Sequence, residues 1–163
     1  MTNMFYNCQS LTSLDLSHFS TNILLEMDAM FFGCHELQYL NVSSFYTGSV
    51  TMMNYTFGDC WNLTSIDLSS FNTETVKYME NMFHNDYNLL TLNLSSFKTT
   101  KVTNMNYMFA NCYNLISLDI SNFNSSKASI DEIFANSSKL EHIISKDEKI
   151  CDLKPEGSQC YDY

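Results

Sequence analysis

The chain repeats itself, and the period leaves few folds open. Met4-Phe5 recurs as Met30-Phe31, Thr56-Phe57, Met82-Phe83 and Met108-Phe109 at steps of 26 residues, then as Ile133-Phe134 after 25. Three residues past each Phe stands Cys8, Cys34, Cys60, Asp86, Cys112 or Ser137, and three further on Leu11, Leu37, Leu63, Leu89, Leu115 or Leu140. Leu14-Asp15-Leu16-Ser17 aligns with Leu40-Asn41-Val42-Ser43, Ile66-Asp67-Leu68-Ser69, Leu92-Asn93-Leu94-Ser95 and Leu118-Asp119-Ile120-Ser121. A unit this short cannot cover its own apolar side chains, so copies must stack and share one interior.

Within each unit the Leu-Asp-Leu-Ser stretch alternates apolar and polar residues with period two, the pattern of a half-buried strand. Beyond it Val50, Met53, Phe57 and Cys60, like Val102, Met105, Phe109 and Cys112, fall at i, i+3, i+7 and i+10, which predicts a short helix with one apolar face. Thr47, Thr73 and Thr99 precede that face where a hydroxyl can cap free amides, and are expected to be N-caps. The expected fold class is therefore α/β: a solenoid of about six 26-residue units over residues 1–145, with a parallel β-sheet on one face and short helical segments on the other. Residues 146–163 leave the pattern as a C-terminal cap or tail.

Composition narrows the partners. Eighteen acidic against eight basic residues give a net charge of -10, which repels nucleic acid and anionic membrane surfaces. No apolar run approaches the roughly 18 residues of a membrane span, and Met1-Thr2-Asn3-Met4-Phe5 lacks the basic and apolar regions of a signal peptide. The chain begins within a repeat, as a processed or excised fragment would. Scarce glycine and a single proline, Pro155, give no flexible linker.

Chemistry would need side chains that converge. His18, His35, His84 and His142 fall in four different columns, no Gly-rich phosphate loop is present, and no Cys-His or metal-spaced cluster follows from the period. No enzyme, cofactor or metal is expected. The repeat cysteines are expected to be packed thiols, since parallel side chains in stacked units suit disulfide geometry poorly. Cys151 and Cys160 flank a polar, turn-forming stretch, and either staple a cap by a disulfide or remain free thiols in a tail. Asp86 replaces Cys in a buried column, so that point is expected to open to solvent or offer hydrogen bonds, with local distortion and no catalytic role.

Two surfaces are candidates for a ligand. Outward strand positions form columns that include Ser13, Tyr39, Ser65, Thr91, Ser117 and His142, and Asp15, Asn41, Asp67, Asn93 and Asp119. The unit-by-unit alternation of Asp and Asn spaces like charges about 10 Å apart, which suits a solvated polar ladder better than a calcium site. Trp61, Tyr87 and Tyr113 share a column beside Asn62, Asn88 and Asn114, and either form an exposed hot spot or pack over the turns between units. Sequons at Asn41, Asn54, Asn62, Asn93, Asn124 and Asn136 matter only in a secreting eukaryote.

These units resemble the BspA-like leucine-rich repeat, the 26-residue surface-protein repeat with the pattern Met-Phe-x-x-Cys-x-x-Leu-x-x-Leu-Asp-Leu-Ser-x-Phe-x-Thr-x-x-Val-x-x-Met. Residues 56–79 and 108–123 carry most of it, and the resemblance covers residues 1–145. It implies a right-handed leucine-rich-repeat solenoid acting as a cell-surface or secreted adhesion scaffold for an extracellular or host protein or glycan. Asp86, Ser137 and the shortened last unit depart from the pattern. The alternatives are an array that associates end to end, and an intracellular interaction scaffold.

Overall fold

The 26-residue period is realised as coils laid one on another in register. In the computed structural model, which describes residues 1–162, β1 (Ser13–Asp15) pairs parallel with β2 (Tyr39–Asn41), Leu14 opposite Leu40. β3 (Thr91–Asn93), β4 (Ser117–Asp119) and β5 (His142–Ile144) pair parallel in the same way, Leu92 opposite Leu118 and Leu118 opposite Ile143. The result is a parallel solenoid of about five turns. Residues 65–67 form no strand, so the face is split into a sheet of β1 and β2 and a sheet starting at β3. Ser65-Ile66-Asp67 differs from Ser13-Leu14-Asp15 by one residue, so nothing in its own letters explains the interruption.

One interior runs the length of the stack. Leu16, Leu68 and Ile120 belong to the same core cluster. The rings of Phe5, Phe31, Phe57, Phe83, Phe109 and Phe134 form a column with successive centroids 5.4–5.9 Å apart. Each ring covers the next, so burying one Phe depends on having neighbours.

The expected helical segments are absent among the described residues, and this face is instead a second parallel ladder. The amides of Met53, Tyr55, Phe57 and Asp59 donate to the carbonyls of Tyr78, Glu80, Met82 and His84 in the next coil, at 2.8–3.0 Å. Isolated parallel bridges run on through Glu26, Met52, Tyr78, Asn104 and Ser129. The amides between them close tight turns, with Tyr55 and Asp59 left-handed at φ 55° and 58°. A left-handed residue every fourth position stops a helix before its second turn. The turns still put Val50, Met53, Phe57 and Cys60 inside, each 0% exposed, so a helix-like burial period arises without a helix.

With no helix to cap, the buried Thr column has a different task. Thr47 Oγ1 accepts from the Asn72 amide (2.8 Å) and donates to the Asn72 carbonyl (2.9 Å), and Thr73 and Thr99 clip Lys98 and Asn124 in the same way. Each hydroxyl ties its coil to the next.

After the last coil the Asp147 carboxylate takes the place of the following coil's carbonyl, accepting from Ser125 Oγ, and also accepts from the Ser125 amide. The same carboxylate caps α1 (Glu148–Cys151), whose Ile150 is fully buried. The chain then returns as β6 (Gln159–Tyr161), parallel to β5, with a disulfide joining Cys151 to Cys160.

Candidate functional site

A uniform translation turns each repeat position into a ladder, and the surface is best described ladder by ladder. In the strand-face column, Asp15, Asn41, Asp67, Asn93 and Asp119 each turn Oδ1 back to accept the amide two residues on, from Ser17, Ser43, Ser69, Ser95 and Ser121, at 2.9–3.1 Å. These are Asx turns that end the strand. The backbone bond is the chief cause holding the Asp15 and Asp67 carboxyls below their usual range. One oxygen of each is therefore committed to structure. Tyr39, in the neighbouring column, is 54% exposed.

The aromatic column is longer than the sequence suggested. His35 stacks on Trp61 at 3.6 Å between centroids, Trp61 on Tyr87 at 5.6 Å and Tyr87 on Tyr113 at 5.3 Å. Ring faces are thus spent on neighbouring coils, while Trp61 and Tyr113 remain 37% and 45% exposed. The column therefore packs between coils and also presents a surface.

Beside it runs a chain of side-chain hydrogen bonds with one direction. Lys139 Nζ donates to Asn114 Oδ1 (2.7 Å), Asn114 Nδ2 to Asn88 Oδ1 (3.2 Å), Asn88 Nδ2 to Asn62 Oδ1 (3.3 Å) and Asn62 Nδ2 to Glu36 Oε2 (2.9 Å). A second amide ladder descends from Asn136 to Asn111 (2.7 Å), Asn85 (2.8 Å) and Asp59 (2.5 Å). Its members are left-handed, as are Asn7 and Gly33 in the same column. At Gly33 a Cβ would overlap Asn7 Oδ1, so the small residue leaves room for the amide of the coil before. The Asn62, Asn88 and Asn114 column is visible in the sequence without its hydrogen bonds, whereas the second column is not singled out there, although a column of Asn, Gly and Asp is the signature of left-handed turn residues.

The histidines remain apart. His35 lies in the aromatic stack, His84 sits 3.3 Å from Asn111 Nδ2, where burial holds its ring below the usual range, and His142 lies near Tyr161. Of the two alternatives expected for Asp86, the structure shows the second: it is 0% exposed, no opening to solvent forms, and its Oδ1 accepts from the Cys60 amide at 2.9 Å. The rigid Phe column and the clips on either side hold the coils too close together for one side chain to part them.

A family model described as "Mycoplasma protein of unknown function, DUF285" matches residues 1–91 and 86–150. Among solved structures, a leucine-rich repeat protein from Bacteroides ovatus is similar at 17% identity, over 90% of this chain and 58% of that one, with a TM-score of 0.28. This chain therefore spans less than two thirds of that protein. No curated protein matches.

Proposed function

We propose that this chain, which belongs to the family described as Mycoplasma protein of unknown function, DUF285, is a non-enzymatic binding or adhesion scaffold of the BspA-like leucine-rich-repeat type, displayed at a cell surface or secreted. On this reading the solenoid is right-handed and its six registers are six units. The observation that carries it is the rigid set of outward ladders. Tyr39 stands exposed on the paired strands β1 and β2, and Trp61 and Tyr113 stand exposed in a stacked column beside a ladder of hydrogen-bonded amides, so a ligand meets groups already held in place.

The stack favours a protein over a glycan as ligand. Sugar rings dock on aromatic faces, and here the faces between His35 and Tyr113 meet one another, leaving only the outer faces of those two end rings without a stacked ring among the described residues. Edges that offer N–H and O–H groups suit carbonyls and carboxylates of a protein surface. Immobilised matrix and host-surface proteins, assayed beside a glycan array, test the reading with Tyr39→Ala, Trp61→Ala and Tyr113→Ala. Protein binding that weakens at least tenfold supports it. Binding untouched by all three places the ligand elsewhere, and capture by glycans alone overturns the choice of protein.

A second reading is favoured by the first coil, where Met4 (47%), Tyr6 (47%), Ile23 (91%) and Leu25 (61%) are exposed. A second copy stacked end to end would cover them. Light scattering across a concentration series decides it, because a strict monomer at high concentration excludes the array.

A further inference from the structure

The side chain three residues past each stacked Phe behaves alike in coil after coil. Cys34 Sγ donates to the Phe5 carbonyl (3.2 Å), Cys60 Sγ to Phe31 (3.4 Å), Cys112 Sγ to Phe83 (3.1 Å) and Ser137 Oγ to Phe109 (2.6 Å). Each reaches the Phe carbonyl one coil back. Asp86 fills the remaining place, and by the same period its partner is the Phe57 carbonyl.

The hydrogen bonds around Asp86 are short by one hydrogen. Oδ1 accepts from the Cys60 amide at 2.9 Å, while Oδ2 is buried with no partner. Among the described residues no hydrogen bond reaches the Phe57 carbonyl either. An ionised carboxylate there would set acceptor against acceptor at a site where Asp86 and Phe57 are both buried from solvent. The groups facing it offer no cation: the thiols of Cys60 and Cys112 lie on either side, and the charge that acts on it is that of another carboxylate, Asp59. The nearest histidine in the chain, His84, is directed to Asn111 and Asp59.

We propose that in the folded protein Asp86 is a neutral carboxylic acid whose Oδ2–H donates to the Phe57 carbonyl, so that a single proton closes the junction between the third and fourth coils and alkaline conditions open it. Burial, the leading cause, pushes this carboxyl far above the ordinary carboxylate range. The unfolded chain ionises near pH 4. Above that pH unfolding releases a proton that the folded chain keeps, so the folding equilibrium falls by up to about tenfold per pH unit until Asp86 ionises in place. The contribution is whole below about pH 4 and is lost as pH rises through the folded value.

Asp86→Asn keeps the acceptor for Cys60 and supplies a permanent hydrogen for Phe57, and Asp86→Cys restores the thiol of the neighbouring coils. Urea unfolding between pH 4 and 9 should show both variants gaining on the wild type with pH, by at least tenfold in folding equilibrium at pH 7. Parallel curves would overturn the proposal. The infrared spectrum of the wild type at pH 7 should contain a protonated carboxyl band that Asp86→Asn lacks, and a spectrum of carboxylates alone overturns the proposal whether or not either variant folds.

Discussion

Lys139 and Glu36, four coils apart, terminate the same chain of side-chain hydrogen bonds, an ammonium at its donating end and a carboxylate at its accepting end. The charged ends are the short bonds, 2.7 and 2.9 Å, and the amide links between them measure 3.2 and 3.3 Å, as charge assistance dictates. Reversing one end, by Glu36→Lys or Lys139→Glu, leaves a row of amides that cannot satisfy both termini. Swapping the two lets Asn62, Asn88 and Asn114 turn over together, Asn114 giving up its bond to the Tyr87 carbonyl. The ends lie about 19 Å apart at strand spacing, beyond the reach of screened surface charges. A double-mutant cycle by urea denaturation should nonetheless show a favourable coupling of about 0.5 kcal/mol; strictly additive single effects would mean that the amides do not communicate.

Removing one coil-to-coil clip tests the Thr column. Thr73→Val preserves shape but leaves the Lys98 amide and carbonyl without Thr73 Oγ1, at a site 1% exposed. The expected loss is about 1–3 kcal/mol. Were these hydroxyls capping a helix, the amides affected would lie within the same coil, so hydrogen exchange that quickens at Lys98 separates the two roles.

The thiols make a prediction about reactivity and pH. Burial pushes Cys34 up to about 11 and Cys60 and Cys112 well above their ordinary value, and all three S–H groups are already engaged as donors. Only a thiolate attacks an alkylating reagent. Raising the pH from 7 to 9 should leave these three unlabelled in the folded protein, while the partly exposed Cys8 reacts. Equal labelling of Cys8 and Cys112 under native conditions would show that the column is not sealed.

Burial was legible in the letters, and hydrogen bonding was not. Val50, Met53, Phe57 and Cys60 are all inside as their spacing predicts, yet their segment is a ladder of turns, because a period reports which side chains face inward and not where the amides go. The column from Asn7 and Gly33 through Asp59 to Asn136 carried the missing information, since these residue types tolerate left-handed backbone. Tyr55 and Tyr107 adopt it with no such signal. For the candidate surface, Asp67 and Asp119 read as members of a solvated polar ladder open to a ligand, although an Asp two residues before a Ser amide is also an Asx turn. The His35 ring, the Glu36 and Lys139 termini and the engaged aromatic faces depend on neighbours 26 residues away, and appear only when every position is read as a column.

Asn111 allows backbone and ladder to be weighed separately. It sits at φ 61°, donates to Asn85 and accepts from Asn136. Asn111→Gly keeps the left-handed turn and loses the amide links, whereas Asn111→Ala loses both. The Gly variant should be the more stable of the two by about 1 kcal/mol in thermal or urea unfolding. An Ala variant as stable as the Gly one would mean that the turn is not strained there.

Pairing of β6 with β5 is supported by the Gln159 amide on the Glu141 carbonyl and by Ser158 Oγ on the Leu140 carbonyl, and the segment between them is held back by Cys151–Cys160, nine residues apart. Closing so short a loop restricts the unfolded chain by about 2–3 kcal/mol. Reduction, or Cys151→Ser with Cys160→Ser, should therefore lower the unfolding midpoint without abolishing the fold, because the Phe column and the Thr clips remain. Loss should begin locally: the amides of β6 and of Ser145, which bonds to Tyr161, should exchange faster, while Leu94, which lies two coils back from Ser145 and bonds to Asp119 in the adjoining coil, keeps its protection. Uniform acceleration along the whole chain would instead show that the coils unfold as one unit and that the C-terminal segment holds them all.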